Sequence, residues 1–259
     1  MSISSIEDVN DDIVRNFFYY GRMELKWKAN TYICYHKTFV VFFRWCKENG
    51  YMSSNPAIDI ELPKLEKRIP PKLTKQEAMK LLEVAYNYPY KYHLLRYRNR
   101  AIFATFIFTG IRRGELLNLK FTDVDLENNS IFIRQGKGNK DRVIPVCASL
   151  SESLGRYLVE RQRLKKTCPE FFVSLNHNMG FTSTGLKRLV DSIRKASNIK
   201  FSIHKLRHTF ATLMLEGGCD IYSLSRMMGH SDIKTTTIYL AASVEHLRGQ
   251  MTKHPLNHL

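Results

Sequence analysis

The sequence predicts a mainly α-helical protein with one small β-hairpin, divided into two domains. Three observations carry this. Apolar residues recur at spacings of three and four along most of the chain. Over residues 130–146 that period gives way to two short β-branched runs around a glycine-rich turn. Residues 62–73 hold three prolines, Pro63, Pro70 and Pro71, which block helix and mark a stiff extended linker. The expected organisation is a helical domain over 1–63, a basic linker over 64–72 and an α+β domain over 73–259 that closes in a tail, 240–259.

The first domain begins with a short amphipathic helix over 12–19. A longer one covers 31–48, with Tyr32, Tyr35, Phe39, Phe42 or Phe43, and Cys46 on one face, and Asn49-Gly50 stops it. Its dense aromatics read as core rather than as stacking surfaces for bases. So small a domain buries little surface of its own and leans on a partner or on DNA.

In the second domain Thr74 and Glu77 form a capping box that opens a helix to about residue 87. Residues 98–108 read as a buried helix ended by Gly110, and a further helix runs from near Arg113 to 119. Strands are expected at 130–134 and 142–146, with 135–141 as the turn between them. Helix returns from Leu150. Ser202 caps a helix over 203–215 that Gly217-Gly218 ends. Asp220 opens the next, which buries Ile221, Leu224 and Met228 and stops at Gly229. Ser231 then caps a short helix carrying Tyr239. The chain has no internal repeat and no low-complexity tract.

Composition narrows the function classes. With 259 residues, 44% of them hydrophobic, the chain can build a sizeable core, which excludes wholesale disorder. Lys and Arg number 40 against 24 Asp and Glu, a net charge of +16 that suits a polyanionic partner. An anionic membrane would also attract that charge, but no lipidation signal or clustered basic amphipathic helix supports it. Five cysteines, at 34, 46, 147, 168 and 219, form no CxxC and no zinc-ligand spacing. Reduced thiols, no metal and a cytoplasmic setting are expected. The longest apolar run, 101–108, falls far short of the ~20 residues that span a bilayer. The N-terminus is acidic and lacks a signal-peptide pattern.

The polar residues suggest phosphoryl chemistry. In-line attack on a phosphodiester needs a nucleophile, cations for the non-bridging oxygens, a proton acceptor and a proton donor. His204 and Arg207 stand at i and i+3 of the helix over 203–215, so they share a face. His230 emerges at a helix terminus, and Tyr239 follows nine residues later. Gly110 allows a sharp turn that sets Arg112 close to the core, where a guanidinium needs an anion: Glu115, a phosphate, or both. Lys137 sits between glycines on the hairpin tip and can reach an oxygen leaving group. That tip lacks the GxxxxGK[ST] order and a following helix, so it is not a nucleotide loop.

Four segments, TGIRRGELLNL, GKGNKDRVIP, HKLRHTFAT and MMGHSDIKTTTIYL, occur in the order found in the tyrosine recombinase (lambda-integrase) family, which this chain resembles over nearly its whole length. The resemblance implies a helical core-binding domain followed by a tyrosine-recombinase catalytic domain. It assigns Arg112, Lys137, His204, Arg207 and His230 to the catalytic set, Tyr239 to the nucleophile and Glu115 to an orienting role. The implied reaction needs no cofactor. Tyr239 forms a 3′-phosphotyrosyl link, and strand exchange passes through a Holliday junction in a homotetramer on double-stranded DNA, either alone or with a second recombinase. The tail would dock on a neighbouring subunit, with Val244, Leu247 and Met251 on its apolar face. Because the chain begins almost at the core-binding lobe, it looks more like an Xer recombinase or a small mobile-element integrase than a lambda-type arm binder, acting at the nucleoid. A type IB topoisomerase, a telomere resolvase, or a regulator using 203–215 and 220–228 as a helix-turn-helix are the alternatives. Phosphate contacts are expected among Lys64, Lys67, Arg68, Lys72, Lys140, Arg142, Lys187 and Arg188.

Overall fold

The computed structural model describes residues 5–65, 70–134, 141–230 and 232–240. It divides into two compact units, residues 1–68 and 69–259.

The first unit opens with a 3₁₀ turn, Ile6–Asp8, then α1 (Asp11–Met23) and α2 (Ala29–Glu48). Asn10 caps α1 by accepting from the Ile13 amide at 3.0 Å. Val14, Phe18, Tyr32, Phe43, Ala57 and Ile60 make the core. Both helices are longer than the sequence pattern suggested. At the C-terminal end of α1, Gly21 lies so close to the Trp27 ring that a Cβ there would come within 2.3 Å of it. Trp27 in turn stacks on Tyr35 at 4.4 Å. The chain after α2 is tied back by its side chains: Asn55 Nδ2 donates to Val40 O at 3.0 Å and His36 Nε2 to Ala57 O at 2.9 Å. The aromatics are not all core. Phe43 is buried, whereas Tyr35, Phe42 and Trp45 face outward.

The second unit starts with α3 (Lys75–Asn87), whose capping box is present as expected: Thr74 Oγ1 accepts from the Glu77 amide and Glu77 Oε2 from the Thr74 amide. α4 (His93–Thr109) begins earlier than its apolar run suggested. Residues 101–107 are buried on every side, because α4 packs against α3, α6 (Ala148–Arg163) and α8 (Ile203–Glu216). A helix apolar all round belongs in the centre of a domain. Its two deepest hydroxyls, on Thr105 and Thr109, donate to carbonyls one turn back, so neither is stranded. Gly110 ends it in the left-handed region (φ +59°).

α5 (Arg113–Asn118) leads through a 3₁₀ turn, Phe121–Asp123, into an antiparallel sheet of order β1-β2-β3. β2 (Ser130–Ile133) and β3 (Arg142–Pro145) are the expected hairpin strands, in register Ile131 to Ile144 and Ile133 to Arg142. β1 (Val124–Asp125) was not expected, since two residues show no period. α7 (Ser183–Ser197) buries Leu186, Leu189, Val190 and Ile193. α9 (Ile221–Met228) is capped by Asp220 and closed by Gly229 (φ +65°). α10 is one turn, Lys234–Thr237, and Tyr239 lies just beyond it rather than on it. Among the described residues no helix is long and apolar enough to cross a membrane.

Candidate active site

Three helix ends meet at one place. The C-termini of α4 and α9 present carbonyls that no helical partner uses, and such ends carry partial negative charge. Two guanidinium groups occupy them. Arg207, on α8 and 5% exposed, donates from Nη1 to Gly110 O and from Nη2 to Met228 O at 2.6 Å. Arg112, at the start of α5, donates from Nη2 to Gly229 O at 2.7 Å. Since Met228 and Gly229 are adjacent, the two cations are neighbours. Burial, then the proximity of Arg112, lowers the Arg207 pKa to about 10.

Glu115 organises the arginines from below. Its carboxylate accepts from the Arg112 amide (2.9 Å) and Nη1 (2.8 Å), and from Arg142 Nη1 (2.9 Å) and Nη2 (2.7 Å). Burial alone would raise its pKa. The hydrogen bonds from Arg142 and Arg112, with the Arg142 charge, outweigh that and hold it at about 2. With Arg207 beside them, three guanidinium groups face one carboxylate, and the cluster keeps a double positive excess that an anion would satisfy. Beside it a cavity of about 770 Å³ is lined by Arg112, Glu115, Lys120, Arg134 and Asp141 among others.

Two of the expected cations have partners within the protein. Arg142, expected to touch phosphate, is largely covered: besides Glu115 it donates from Nε to Met227 O at 2.9 Å, so it locks β3 to α9. Lys72 pairs with Glu216. Lys64, Lys187 and Arg188 are exposed. Lys67, Arg68, Lys137 and Lys140, the expected cap Ser231 and the tail beyond Leu240 lie outside the described residues.

His230 follows Gly229 directly, and its Nδ1 is hydrogen-bonded to Thr236 Oγ1 at 2.7 Å. Thr236 is fully buried, one turn before Tyr239. Tyr239 is 2% exposed, and its ring packs in an apolar cluster with Phe210, Leu215, Leu224 and Met228. Its hydroxyl, however, meets a polar partner: Oη lies 2.8 Å from His208 Nδ1. Burial raises the phenol's pKa, and the Arg207 charge opposes that rise.

A second imidazole stands beside His204. His204 shares the exposed side of α8 and touches His208 edge-on, with ring centroids 4.7 Å apart, but the imidazole bonded to Tyr239 is His208. Sequence reasoning passed over His208, Thr236 and the orienting role of Arg142. The signal for His208 was present: it is four residues after His204, so the two rings lie one turn apart on one face. Nothing in the sequence alone pairs Arg142 with Glu115, 27 residues away. Among the described residues no group of three or more His, Cys, Asp and Glu could hold a metal ion.

Comparison with known proteins places this arrangement in context. Residues 71–246 match the Phage integrase family. The tyrosine recombinase XerC of Oceanobacillus iheyensis is 35% identical over 222 residues, covering 83% of this chain and 71% of its own. The tyrosine recombinase XerD of Listeria monocytogenes is 37% identical over 236 residues, covering 88% and 76%. A crystal structure of the XerH site-specific recombinase bound to palindromic difH substrate, a post-cleavage complex, superposes with a TM-score of 0.77 at 23% identity, over 97% of this chain and 74% of that one, and so shares the fold.

Proposed function

Because the chain belongs to the phage integrase family and is a site-specific DNA recombinase, we propose that it breaks and rejoins strands through a covalent bond between Tyr239 and a 3′-phosphate. The observation that carries the reading is the pair of guanidinium groups, Arg112 and Arg207, parked side by side on consecutive carbonyls with Tyr239 packed against the same helix end. Like charges brought together under burial are costly unless an anion joins them. A phosphodiester fits, and it is the group the reaction must activate.

The roles then follow. Arg112 and Arg207 clamp the non-bridging oxygens and meet the charge that grows on them in the transition state. His230, oriented by Thr236, adds a hydrogen bond. Tyr239 attacks, the imidazole pair of α8 receives its proton, and Lys137 protonates the departing 5′ oxygen. The ester energy stays in the phosphotyrosyl bond, so resealing by a second 5′-hydroxyl needs no ATP. Fixed guanidinium groups supply the charge neutralisation that a metal would otherwise provide. The net charge of +16 suits double-stranded DNA as the partner, and the XerH complex is bound to its difH substrate. Recombination of two such duplexes would engage four copies of the chain, exchanging strands through a Holliday junction.

The test is a nicked suicide substrate that traps the covalent product. Tyr239→Phe should abolish protein–DNA adducts and leave the gel-shift affinity close to that of the unaltered protein. Adducts formed by the Phe variant would remove Tyr239 from the mechanism.

A further inference from the structure

We infer that Arg142 is a positioning residue for strand cleavage: it sets the spacing of the Arg112 and Arg207 guanidinium groups without touching the phosphate itself. The inference rests on the proposed role of those two arginines as the phosphate clamp and deepens it.

The three arginines meet at the end of α9. There the Gly229 amide returns to Arg226 O and the His230 amide to Ser225 O. The next three carbonyls lie past the last helical donor. Each accepts from a different arginine: Met227 O from Arg142 Nε at 2.9 Å, Met228 O from Arg207 Nη2 at 2.6 Å, and Gly229 O from Arg112 Nη2 at 2.7 Å. Three guanidinium groups thus stand on three successive peptides, and two of them are the clamp.

The third is turned inward. The Arg142 side chain is 9% exposed, and its two terminal nitrogens form a fork on Glu115, at 2.9 and 2.7 Å. The same carboxylate accepts from the amide and Nη1 of Arg112. Arg142 therefore reaches both halves of the clamp: the peptides of α9 directly, and Arg112 through Glu115. Gly229 closes the fit. A Cβ there would come within 2.9 Å of Arg142 Nη1 and 3.0 Å of its Cδ, so the guanidinium lies against the backbone of the bend. A planar fork bonded along two edges fixes angles as well as distances, and a lysine ammonium does not. Glu115 meets the Arg142 charge inside the protein, which leaves the phosphate to Arg112 and Arg207. Displacing a clamp by ~1 Å is enough to slow an in-line attack about 10²-fold.

The experiment compares two suicide substrates. One carries the ordinary scissile phosphodiester. The other carries a methylphosphonate there, in which a methyl group replaces one non-bridging oxygen and removes the negative charge. Arg142→Lys, which keeps a cation beside Glu115, and Arg142→Gln are measured in single turnover at saturating DNA, with thermal unfolding to set a temperature at which both are folded. Both variants should cleave the phosphodiester about 10²-fold more slowly, with gel-shift affinity close to that of the unaltered protein. On the methylphosphonate the gap to the unaltered protein should narrow, because a neutral centre has less need of well-placed cations. Equal losses on the two substrates would overturn the inference, since damage to the fold alone scales both alike. An affinity loss as large as the cleavage loss would also overturn it, by making Arg142 a phosphate contact. Arg112→Ala is the control. Equal losses in that variant would sink the clamp reading and the inference with it, whereas a narrowed gap for Arg112→Ala but not for the Arg142 variants would sink the inference alone.

Discussion

Replacing Glu115 by Gln removes one negative charge while keeping size and shape. The native carboxylate accepts four N–H bonds, two from Arg112 and two from Arg142. An amide offers one acceptor oxygen, and its NH₂ then faces a donor. Both Glu115 and Arg142 side chains are 9% exposed, so the relevant scale is that of a broken buried pair, about 3–5 kcal/mol, and not that of a surface pair. For a unit of this size each kcal/mol moves Tm by about 2–4 °C, so Tm of the unit spanning residues 69–259 should fall by about 6–20 °C at neutral pH. Cleavage should fall as well, because Arg112 loses its anchor. The pH dependence is a second check. The folded pKa of about 2 lies below the usual 4.5, so the stabilisation is complete above 4.5 and is lost as pH falls toward 2. The Glu115→Gln variant has no such charge to lose, and the stabilities of the two proteins should converge over that window. Adding Arg142→Met to that variant removes the orphaned cation and should restore part of the stability but not the cleavage. Urea and thermal unfolding measure all three proteins. A loss below about 1 kcal/mol for Glu115→Gln, the scale of an exposed pair, would refute the claim that this carboxylate organises the arginines.

Other outcomes follow from the same geometry. Thr236→Val keeps volume and deletes the hydroxyl bonded to His230 Nδ1; stability should fall by about 0.5–1.5 kcal/mol, and single-turnover cleavage should drop while gel-shift affinity holds. Gly110→Ala places a Cβ 2.4 Å from the Phe210 ring at a left-handed φ; the backbone alone costs about 1–2 kcal/mol, and displacement of the carbonyl under Arg207 should slow cleavage, both readable from urea titration and adduct formation. Tyr239→Phe should end adduct formation, as set out above.

Much of the fold could be read from the residues because local rules and packing agree there. Thr74 and Glu77 cap α3 as their spacing demands, and Gly110 and Gly229 end helices in the conformation that favours glycine. The run at 101–108 announced a central helix because only burial on every side tolerates it. Where signals fail, the cause is physical. β1 is two residues long and exists only through its pairing with β2. α4 extends back to His93 through Arg98, a charge whose burial depends on Val173 O and the side chain of Asn99. At the site, the residue types of Arg112, Arg207, His230 and Tyr239 were legible, and so was the need of Arg112 for Glu115. The partners that aim them were not. Arg142 looked like a surface cation on a strand, and its burial depends on contacts with α5 and α9 far along the chain. His208 was overshadowed by two neighbours that fit a known pattern.

Met228, Gly229 and His230 are consecutive. The first two grip one arginine each through their carbonyls, and the third is the imidazole proposed to take part in the chemistry. One short peptide therefore works as a common pin. Shift it and both clamps and the imidazole lose register together; seat it and all three arrive at once. On the proposed roles, a partly built centre would neither clamp nor cut, and competence to break DNA would behave as a single yes-or-no property of that bend.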